Sequence, residues 1–455
     1  MAAHELLRAV AEQDAYANLV WPRILSAHGL AGRDAAFGTE LAYGTLRWRG
    51  RHDAILAACI DRGIETVQPA LLDALRLGAH QLHEMRVGAH AAVDQTVELV
   101  RARMSPGAAG FANAVLRRVA RQGSAEEWLV ELVRSGTVPH VADDPVGHLA
   151  VRTSHPAWIV RALHDALAAS EPDRTWYDTD RALLADNEAG RVTLVARGVA
   201  RSDLLAALAE RGIDAVPGRW SRLAVRVSAV NPSALPEVAT GAAGVQDEGS
   251  QVVGLVLADA ELEGRDERWL DLCAGPGGKA ALLAGQVAER GGSLTAVELH
   301  AHRAELVRNS LRPVRGRHEV LAADAVTADI GDGYDRVLLD APCTGLGALR
   351  RRPEARWRRA PEDVAPLAAL QRSLLRRALE VVRPGGLVLY ATCSPHVAET
   401  EAIVADVGRW GGTVLPFARV AGVSMPEGSA AGPHLRLWPH RHDTDGMFAA
   451  LIRRD

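Results

Sequence analysis

The sequence predicts an all-α N-terminal domain, then a small α+β subdomain, then an α/β domain built on a parallel sheet. Three observations support this fold class. Up to about residue 122, apolar residues recur at steps of three and four, which is typical of amphipathic helices. After about residue 245, apolar strands alternate with helices, which indicates a parallel sheet covered on both faces. The stretch between them mixes short strands with helices.

Length and composition are those of a folded protein with several domains. With 455 residues, the chain is long enough for about two to four domains of ordinary size. Hydrophobic residues make up 48% and charged residues 24%, and no apolar run reaches the roughly 20 residues of a membrane helix. The first twenty residues contain three acidic side chains and resemble neither a secretory nor a transit signal, so we expect a cytoplasmic protein.

The all-α domain is predicted to span residues 1–145. Apolar faces recur at helical spacing within 71–82, 93–100 and 115–119. Residues 122–156 are polar and contain several glycines and prolines, which predicts a linker with one short helix over 128–133. We therefore expect a bundle of several helices, followed by a domain boundary.

Two further domains are predicted, the α+β subdomain over 146–240 and the α/β domain over 241–455. In the first, a helix precedes strand patterns over 191–196, 214–217 and 223–227, and another helix is expected over 202–211. In the second, the predicted strands are 269–273, 293–299, 319–324, 334–342 and 386–393. The predicted helices are one from about Gly277 to about 289, one over 303–311 and one over 362–382.

Polar and reactive side chains follow these strands where the strands end. Ligands of open α/β sheets bind at the carboxyl ends of the strands, so these residues should share one rim. The first strand leads into a turn of Cys273, Ala274, Gly275, Pro276, Gly277, Gly278 and Lys279. Lys279 is the only lysine in the chain. A Walker phosphate loop is excluded, because Cys273 and Ala280 stand where it needs Gly and Ser or Thr.

The residue types on this rim predict a nucleoside-type cofactor. Glycines let a ligand approach the backbone closely, and the following helix N-terminus favours a negative group. Glu298 ends the second strand about 20 residues further on, where a carboxylate accepts hydrogen bonds from ribose hydroxyls. Asp324, at the end of the third strand, could receive an adenine amino group. These residues alone do not distinguish a nicotinamide from S-adenosylmethionine.

The four cysteines are interpreted as free thiols. Cys59, Cys273, Cys343 and Cys393 are far apart and form no Cys-x-x-Cys pair, which argues against a disulfide framework or a cysteine zinc site. Cys59 lies on a helical face and is expected to pack in the core. Cys343 and Cys393 both belong to the rim, although 50 residues separate them. Two thiols on the rim indicate nucleophilic chemistry.

Several segments resemble known families. DLCAGPGGK, DAPCTGLGALRRRPEARW and ATCSPHVAETEAIV resemble the successive motifs of the Nol/Nop/Sun RNA cytosine-5 methyltransferases, and VQDEGSQ and WPHRHDTDGMFAA extend the resemblance over most of 240–455. Near the N-terminus, GRDAAFGTELAYGTLRWR, LRLGAHQL and GFANAVLRRV are similar to the RNA-binding fold of the antitermination factor NusB. The resemblance implies a Rossmann-like methyltransferase domain, S-adenosylmethionine as cofactor, an RNA-binding α+β subdomain and small-subunit ribosomal RNA as partner.

The resemblance also implies a role for each rim residue. In this family the cysteine of TCSP, here Cys393, is the nucleophile that adds to cytosine C6, and the cysteine after the proline, here Cys343, releases the C5 proton. The thiolate is needed because cytosine C5 is a poor nucleophile by itself. Asp340 would bind the N3/N4 edge of the base and border the cofactor, and Lys279 would belong to the cofactor pocket. The target cytosine must be unpaired or flipped to reach Cys393.

A basic segment supports RNA binding close to the rim in sequence. Residues 345–360 contain a tryptophan among six arginines, and arginine pairs with phosphates and stacks on bases. We predict RNA contacts for Arg350, Arg351, Arg352, Arg356 and Trp357. A second contact on the helical domain is considered for Arg47, Arg49, Arg51, Arg117 and Arg118.

Other interpretations stay open from the residues alone. One is an antitermination-like RNA scaffold without catalysis, another is a nicotinamide dehydrogenase, and a third is a cytosine-5 methyltransferase acting on transfer RNA or another RNA. No metal is predicted, because no acidic or thiol partner completes a ligand set with His300, His302, His434, His440 or His442. We expect a monomer that has no membrane partner.

Overall fold

Amphipathic helices build the N-terminal part of the chain, as the spacing of apolar residues predicts. The computed structural model describes residues 1–171, 173, 175–228, 230–417, 429 and 432–455. The helices in this part are α1 (Ala2–Glu12), α2 (Ala17–Ala27), α3 (Gly32–Arg47), α4 (Arg49–Cys59), α5 (Pro69–His83), α6 (Ala89–Arg103), α7 (Pro106–Arg121), α8 (Ala125–Arg134), α9 (Pro145–Arg152), α10 (Ala157–Ser170) and α11 (Trp176–Ala185).

The chain divides into two compact units. The first comprises Met1–His164, Arg174–Glu188 and Leu349–Arg359, and the second comprises Asp165–Asp173, Ala189–Ala348 and Ala360–Asp455. The three-domain division with boundaries at 145 and 240 stays a prediction. The sequence did not indicate that a segment from the α/β part belongs with the helices.

The first unit has a core between α4, α5, α6, α7 and α8, and Leu75, Val100 and Leu116 are fully buried in it. Local sequence explains where several helices begin. The Ser124 hydroxyl accepts a hydrogen bond from the Glu127 N–H, and the Glu127 carboxylate accepts one from the Ser124 N–H, which is a capping box at the start of α8. The sequence predicted one helix in this linker, but α9 also forms there, because Asp144 caps the Gly147 N–H and a proline opens the helix.

A small antiparallel sheet opens the main part of the second unit. It contains β1 (Val192–Ala196), β2 (Ala215–Pro217), β3 (Ala224–Val227) and β4 (Ala243–Val245) in the order β2-β3-β1-β4, with α12 (Arg201–Glu210) and α13 (Pro236–Ala239) between strands. Buried Glu248 accepts hydrogen bonds from the N–H groups of Trp220 and Ser221 and from the Arg226 guanidinium. These bonds fix the small sheet against the helix that Glu248 begins.

The larger sheet carries the rim. Its strands are β5 (Arg268–Asp271), β6 (Ser293–Glu298), β7 (Arg317–Ala322), β8 (Tyr334–Asp340), β9 (Val382–Thr392), β10 (Gly412–Leu415), β11 (Leu435–Leu437) and β12 (Met447–Arg454). The helices of this region are α14 (Glu248–Asp259), α15 (Gly278–Ala288), α16 (Ala301–Leu311), α18 (Val364–Val381), α19 (Glu401–Val404) and α20 (Pro439–His442), while α17 (Ala355–Arg358) lies in the first unit.

The sheet is mixed. The strand order is β10-β12-β9-β8-β5-β6-β7. The four neighbouring pairs among β9, β8, β5, β6 and β7 are parallel, as the alternating pattern predicts. β12 runs antiparallel to β9 and also pairs with β10 and β11. In the described part of the chain, no helix is long and apolar enough to cross a membrane.

Candidate active site

The predicted rim residues lie at one edge of the sheet, at the carboxyl ends of the parallel strands. β5 lies between β6 and β8, so the glycine turn after β5 has Glu298 at the end of β6 on one side and Asp340 at the end of β8 on the other. β9 pairs with β8 up to Asp340 and Ala391, which places Thr392 and Cys393 just beyond the same edge. Strand order therefore brings together residues that are far apart in sequence.

Only glycine fits two positions of the turn. Gly277 has a φ of 111°, and a Cβ there would lie 2.7 Å from the Ser310 side chain. A Cβ on Gly275 would lie 2.1 Å from Glu298 Oε2. Gly277 precedes α15 and has no side chain with which to cap the helix, so the first N–H groups of α15 have no side-chain cap at that position. The turn can thus approach a ligand with backbone donors that no side chain caps.

The two carboxylates assigned to the cofactor differ in environment. Glu298 is buried, its Oε1 accepts a hydrogen bond from the His300 N–H at 3.0 Å, and its Oε2 lies 3.6 Å from the Arg303 guanidinium. Asp324 is exposed and its Oδ1 accepts a hydrogen bond from the Val326 N–H at 2.9 Å. Both are held in place by local bonds at the ends of their strands.

Lys279 and Asp340 form an ion pair at the centre of the rim. Lys279 Nζ donates to Asp340 Oδ2 at 2.8 Å, and both side chains are largely shielded from solvent. Burial lowers the pKa of the Lys279 ammonium, but the Asp340 carboxylate, together with Cys393 and Asp271, outweighs that effect, and the pKa is raised. Lys279 is therefore a fixed positive charge that interacts with the Cys393 sulfur.

The thiols of Cys343 and Cys393 are in contact. Cys343 Sγ and Cys393 Sγ are 3.5 Å apart, although the chain separates them by 50 residues. The hydrogen bond with Cys393 raises the pKa of the Cys343 thiol, and burial adds to the increase. The Cys343 thiol is therefore harder to deprotonate than that of a solvated cysteine. Cys59 is buried in the helical unit, and burial raises the pKa of its thiol to about 11.

Sequence reasoning missed two acidic residues at this edge. Asp271, the last residue of β5, is buried, and its burial, helped by the nearby Asp340 carboxylate, raises its pKa to about 7. Glu399 is also buried, and it accepts hydrogen bonds from the residues that follow the two cysteines. Asp271 could have been found from the sequence, because it is a charged residue in an otherwise apolar strand. Glu399 lies in a polar segment, where nothing in the sequence distinguishes it.

The basic segment lies within the helical unit. Arg356 is fully buried, and its guanidinium donates to the carbonyls of Arg47, Ser154 and Asp186 and to Asn187 Oδ1. Burial lowers its pKa to about 9. We predicted an RNA contact for this residue, and the structure instead gives it a packing role, because its donors already have acceptors inside the unit.

The other predicted RNA residues have different environments. Arg350 is buried and its carbonyl accepts a hydrogen bond from Arg47, so it too packs in the unit. Trp357 is partly buried and donates from Nε1 to the Leu46 carbonyl at 3.1 Å. Arg351 is partly buried and Arg352 is exposed.

The second group of arginines is also divided. Arg47 and Arg51 are buried, and Arg51 pairs with Glu84 and Glu126. Arg117 and Arg118 are exposed, although Arg118 pairs with an aspartate. Within the described residues, no group of three or more His, Cys, Asp and Glu side chains is arranged to hold a metal ion.

Two family models match the chain. Residues 260–453 match the model described as 16S rRNA methyltransferase RsmB/F. Residues 1–121 match the model described as the NusB family. The two matches fall on the α/β part and the helical part.

Curated relatives match over nearly the full length. A Mycobacterium tuberculosis protein described as a methyltransferase is 49% identical over 100% of this chain and 96% of its own length. The ribosomal RNA small subunit methyltransferase B of Pseudomonas putida is 35% identical over 92% of this chain and 90% of its own length.

Solved structures share the fold. The crystal structure of PH0851 aligns with a TM-score of 0.78 and 22% identity, covering 100% of this chain and 98% of that one. NSun6 from Pyrococcus horikoshii, solved with SFG, aligns with a TM-score of 0.54 and 18% identity, covering 65% of this chain and 98% of that one. At these identities the comparison establishes the fold alone.

Proposed function

Because the chain belongs to the 16S rRNA methyltransferase RsmB/F family and carries a NusB-family domain, we propose that it methylates C5 of a cytosine in small-subunit ribosomal RNA. The observation that carries the proposal is the pair of thiols 3.5 Å apart beside the Lys279–Asp340 ion pair. A reaction at cytosine C5 needs a nucleophile for C6 and a base for the C5 hydrogen, and two adjacent thiols supply both.

The glycine turn and its neighbours fit S-adenosylmethionine. The turn offers uncapped N–H groups of α15, and a Cβ on Gly275 would meet Glu298, so ligand and carboxylate can both approach the backbone closely. We assign Glu298 to the ribose hydroxyls and Asp324 to the adenine edge, with residues 273–279 forming the wall of the pocket. When bound, the cofactor supplies an activated methyl group on a sulfonium.

In the first step we assign Cys393 as the nucleophile. The Cys393 sulfur raises the pKa of Lys279, so by reciprocity the Lys279 ammonium stabilises a thiolate at Cys393. The Cys343 thiol, whose pKa is raised by its bond with Cys393, donates a hydrogen bond to that thiolate. Cys393 then bonds to C6 of the cytosine, and C5 becomes nucleophilic.

Asp340 is assigned to the N3/N4 edge of the base. Its carboxylate is fixed by Lys279 and stands at the end of β8, three residues before Cys343. The carboxylate accepts a hydrogen bond from the N4 amino group, and a proton that it takes up from solvent and passes to N3 stabilises the charge that develops on the ring as the thiolate adds.

In the last step, after C5 has gained the methyl group, Cys343 removes the C5 hydrogen. Once Cys393 is bonded to carbon it no longer carries the charge that holds the Cys343 proton, so the pKa of Cys343 falls and its proton passes to solvent. Cys343 is partly exposed, which allows this transfer. Its thiolate then takes the hydrogen from C5, the bond between C6 and Cys393 breaks, and the C5–C6 double bond is restored.

A covalent-adduct experiment tests this assignment. Incubated with cofactor and ribosomal RNA, Cys343→Ala should accumulate a denaturation-resistant protein–RNA adduct, because the thioether at C6 forms but is not released. Cys393→Ala should form no adduct and no 5-methylcytosine. The reverse pattern would exchange the two roles, and full activity of both variants would rule out the mechanism.

The RNA substrate needs a separate measurement. We expect 5-methylcytosine to disappear from one position of small-subunit ribosomal RNA in a deletion strain. Loss from transfer RNA instead would favour the other substrate class and leave the chemistry unchanged.

A further inference from the structure

A buried carboxylate joins the two cysteine loops. Glu399 is 0% exposed and lies seven residues after the end of β9. Its Oε1 accepts a hydrogen bond from the Thr344 N–H at 2.8 Å, and its Oε2 accepts bonds from the Thr344 hydroxyl and from the Ser394 hydroxyl, the latter at 2.6 Å. Thr344 directly follows Cys343, and Ser394 directly follows Cys393. One side chain therefore binds the neighbours of both thiols.

Further bonds hold Glu399 itself. Gln371 of α18 donates to Glu399 Oε1 at 3.1 Å and to the Pro342 carbonyl at 2.8 Å. The Tyr390 hydroxyl donates to the Glu399 carbonyl at 2.7 Å. Gln371 and Tyr390 are both fully buried. A carboxylate only accepts hydrogen bonds, and here donors reach both of its oxygens, so the network is satisfied and rigid.

Sheet pairing alone does not set the distance between the thiols. β8 and β9 are paired up to Asp340 and Ala391, and both cysteines lie beyond those residues. Their separation therefore depends on contacts between the two loops. The Gly347 N–H, which donates to the Cys393 carbonyl at 2.8 Å, is one such contact. Glu399 makes contacts to the residue that follows each cysteine.

We propose that Glu399 is a positioning residue that keeps the sulfurs of Cys343 and Cys393 at the spacing needed to act on two adjacent ring atoms. C5 and C6 are bonded neighbours, so each sulfur must approach its own atom from a defined position. Misplacement by about 1 Å can lower a rate about 100-fold. The inference rests on the proposed function for its chemical meaning, while the geometry can be tested without methyl transfer.

The geometric test uses diamide as a probe of the thiol pair. Diamide takes two electrons and two protons from the thiols, so that a disulfide forms and the reagent is reduced to the hydrazine. A disulfide needs the sulfurs to close to about 2.05 Å, which is a short movement from the observed 3.5 Å. The linked Cys343–Cys393 peptide, measured by mass spectrometry of the full chain, should form about tenfold more slowly in Glu399→Ala.

The catalytic test separates positioning from cofactor binding. We expect Glu399→Ala to lower kcat about 100-fold while KM for S-adenosylmethionine changes by less than about twofold, because residues 273–279 and Glu298 are untouched. Glu399→Gln should fall between this variant and the wild type, since its amide keeps one acceptor and loses the other.

Asp335→Asn is the matched control. Asp335 is also 0% exposed and accepts hydrogen bonds from the N–H groups of Glu267 and Arg268, but it lies at the opposite end of β8 from Cys343. Its loss should lower stability without slowing disulfide formation. A wild-type rate of disulfide formation in Glu399→Ala, or an equal slowing in Asp335→Asn, would overturn the proposal.

The two proposals fail separately. If the wild type closes the disulfide quickly and Glu399→Ala slowly, but no form methylates cytosine, the positioning role stands and the proposed reaction falls. If Glu399→Ala does not fold, Thr344→Val and Ser394→Ala each remove part of the same network. A wild-type disulfide rate in both of these variants would equally overturn the positioning role.

Discussion

At the scale of single residues, buried charges decide which groups of the rim hold protons. The Lys279 ammonium has its pKa raised by Asp340, and the Cys343 thiol has its pKa raised by Cys393. Asp271 lies next to the same turn, and its burial raises its pKa from 3.8 to about 7. These shifts arise from tertiary contacts, because in an unfolded chain each group would be solvated.

The raised pKa of Asp271 predicts a pH dependence of stability. Between pH 4 and about 7 the folded protein keeps a proton that the unfolded chain has released, so the free energy of unfolding falls as pH rises through this window. Asp271→Asn cannot ionise and should remove this loss, on the order of 1 to 4 kcal/mol by pH 8. Thermal unfolding at pH 5 and pH 8 measures it. Parallel pH profiles for variant and wild type would contradict the assignment.

At the scale of elements, α4 and α5 enclose histidines in the helical unit. His52 and His80 are 0% exposed, with ring centroids 5.5 Å apart, and the ring nitrogens of His83 are shielded from solvent. Burial lowers the pKa of His52 well below its usual range and that of His83 to about 4. Both rings are therefore neutral in the folded protein near pH 7.

The neutral histidines predict acid lability of the helical unit. As pH falls from 6.5 towards 4, the unfolded chain binds protons at these positions while the folded chain does not, so stability falls. His83→Gln should make the unfolding midpoint less dependent on pH in this window. His90→Gln is the control, because the His90 side chain is 87% exposed and should have no such effect. Circular dichroism during urea unfolding at pH 7 and pH 5 would show the difference, and equal slopes for both variants would refute it.

At the scale of the whole molecule, a distant segment completes the helical unit. Residues 349–359 follow the Cys343 loop in sequence but pack among α1, α3 and the segment near Ser154. The buried Arg356 guanidinium holds this segment in the unit by hydrogen bonds to main-chain carbonyls. The helical unit is therefore built from segments that precede and follow residues 189–348 in the sequence.

The two kinds of arginine in this segment predict different phenotypes. Arg356→Met leaves buried carbonyls without donors and should cost about 3 kcal/mol of stability, with no change in the salt dependence of RNA binding by the folded protein. Arg352→Ala removes an exposed cation that we propose contacts RNA, and should reduce the slope of log affinity against log salt by about 1. Urea unfolding and binding titrations measure the two effects. An unchanged slope in Arg352→Ala would remove that residue from the RNA surface.

Much of the fold could be predicted because its signals are local. Helical spacing and strand alternation depend on the side chains of a few neighbouring residues, and β5, β6, β8, α15 and α16 lie where the patterns predict them. α9 was missed because an Asp-Pro pair read as part of a linker, although the same pair also begins helices. β12 was not predicted, although residues 447–452 form an apolar run of the kind from which β8 was predicted.

The candidate site, like the fold, has features that the sequence predicts and features that only the structure shows. The residue types and their places at strand ends follow from the sequence, because parallel strands must share a direction and therefore an edge. What only the tertiary structure decided are distances and environments: the 3.5 Å between the two sulfurs, the bonds that Glu399 makes to both loops, and the burial of Arg356 away from solvent. Each of these depends on which distant segments pack together, and that is settled by the free energy of the whole folded chain, not by any short stretch of residues.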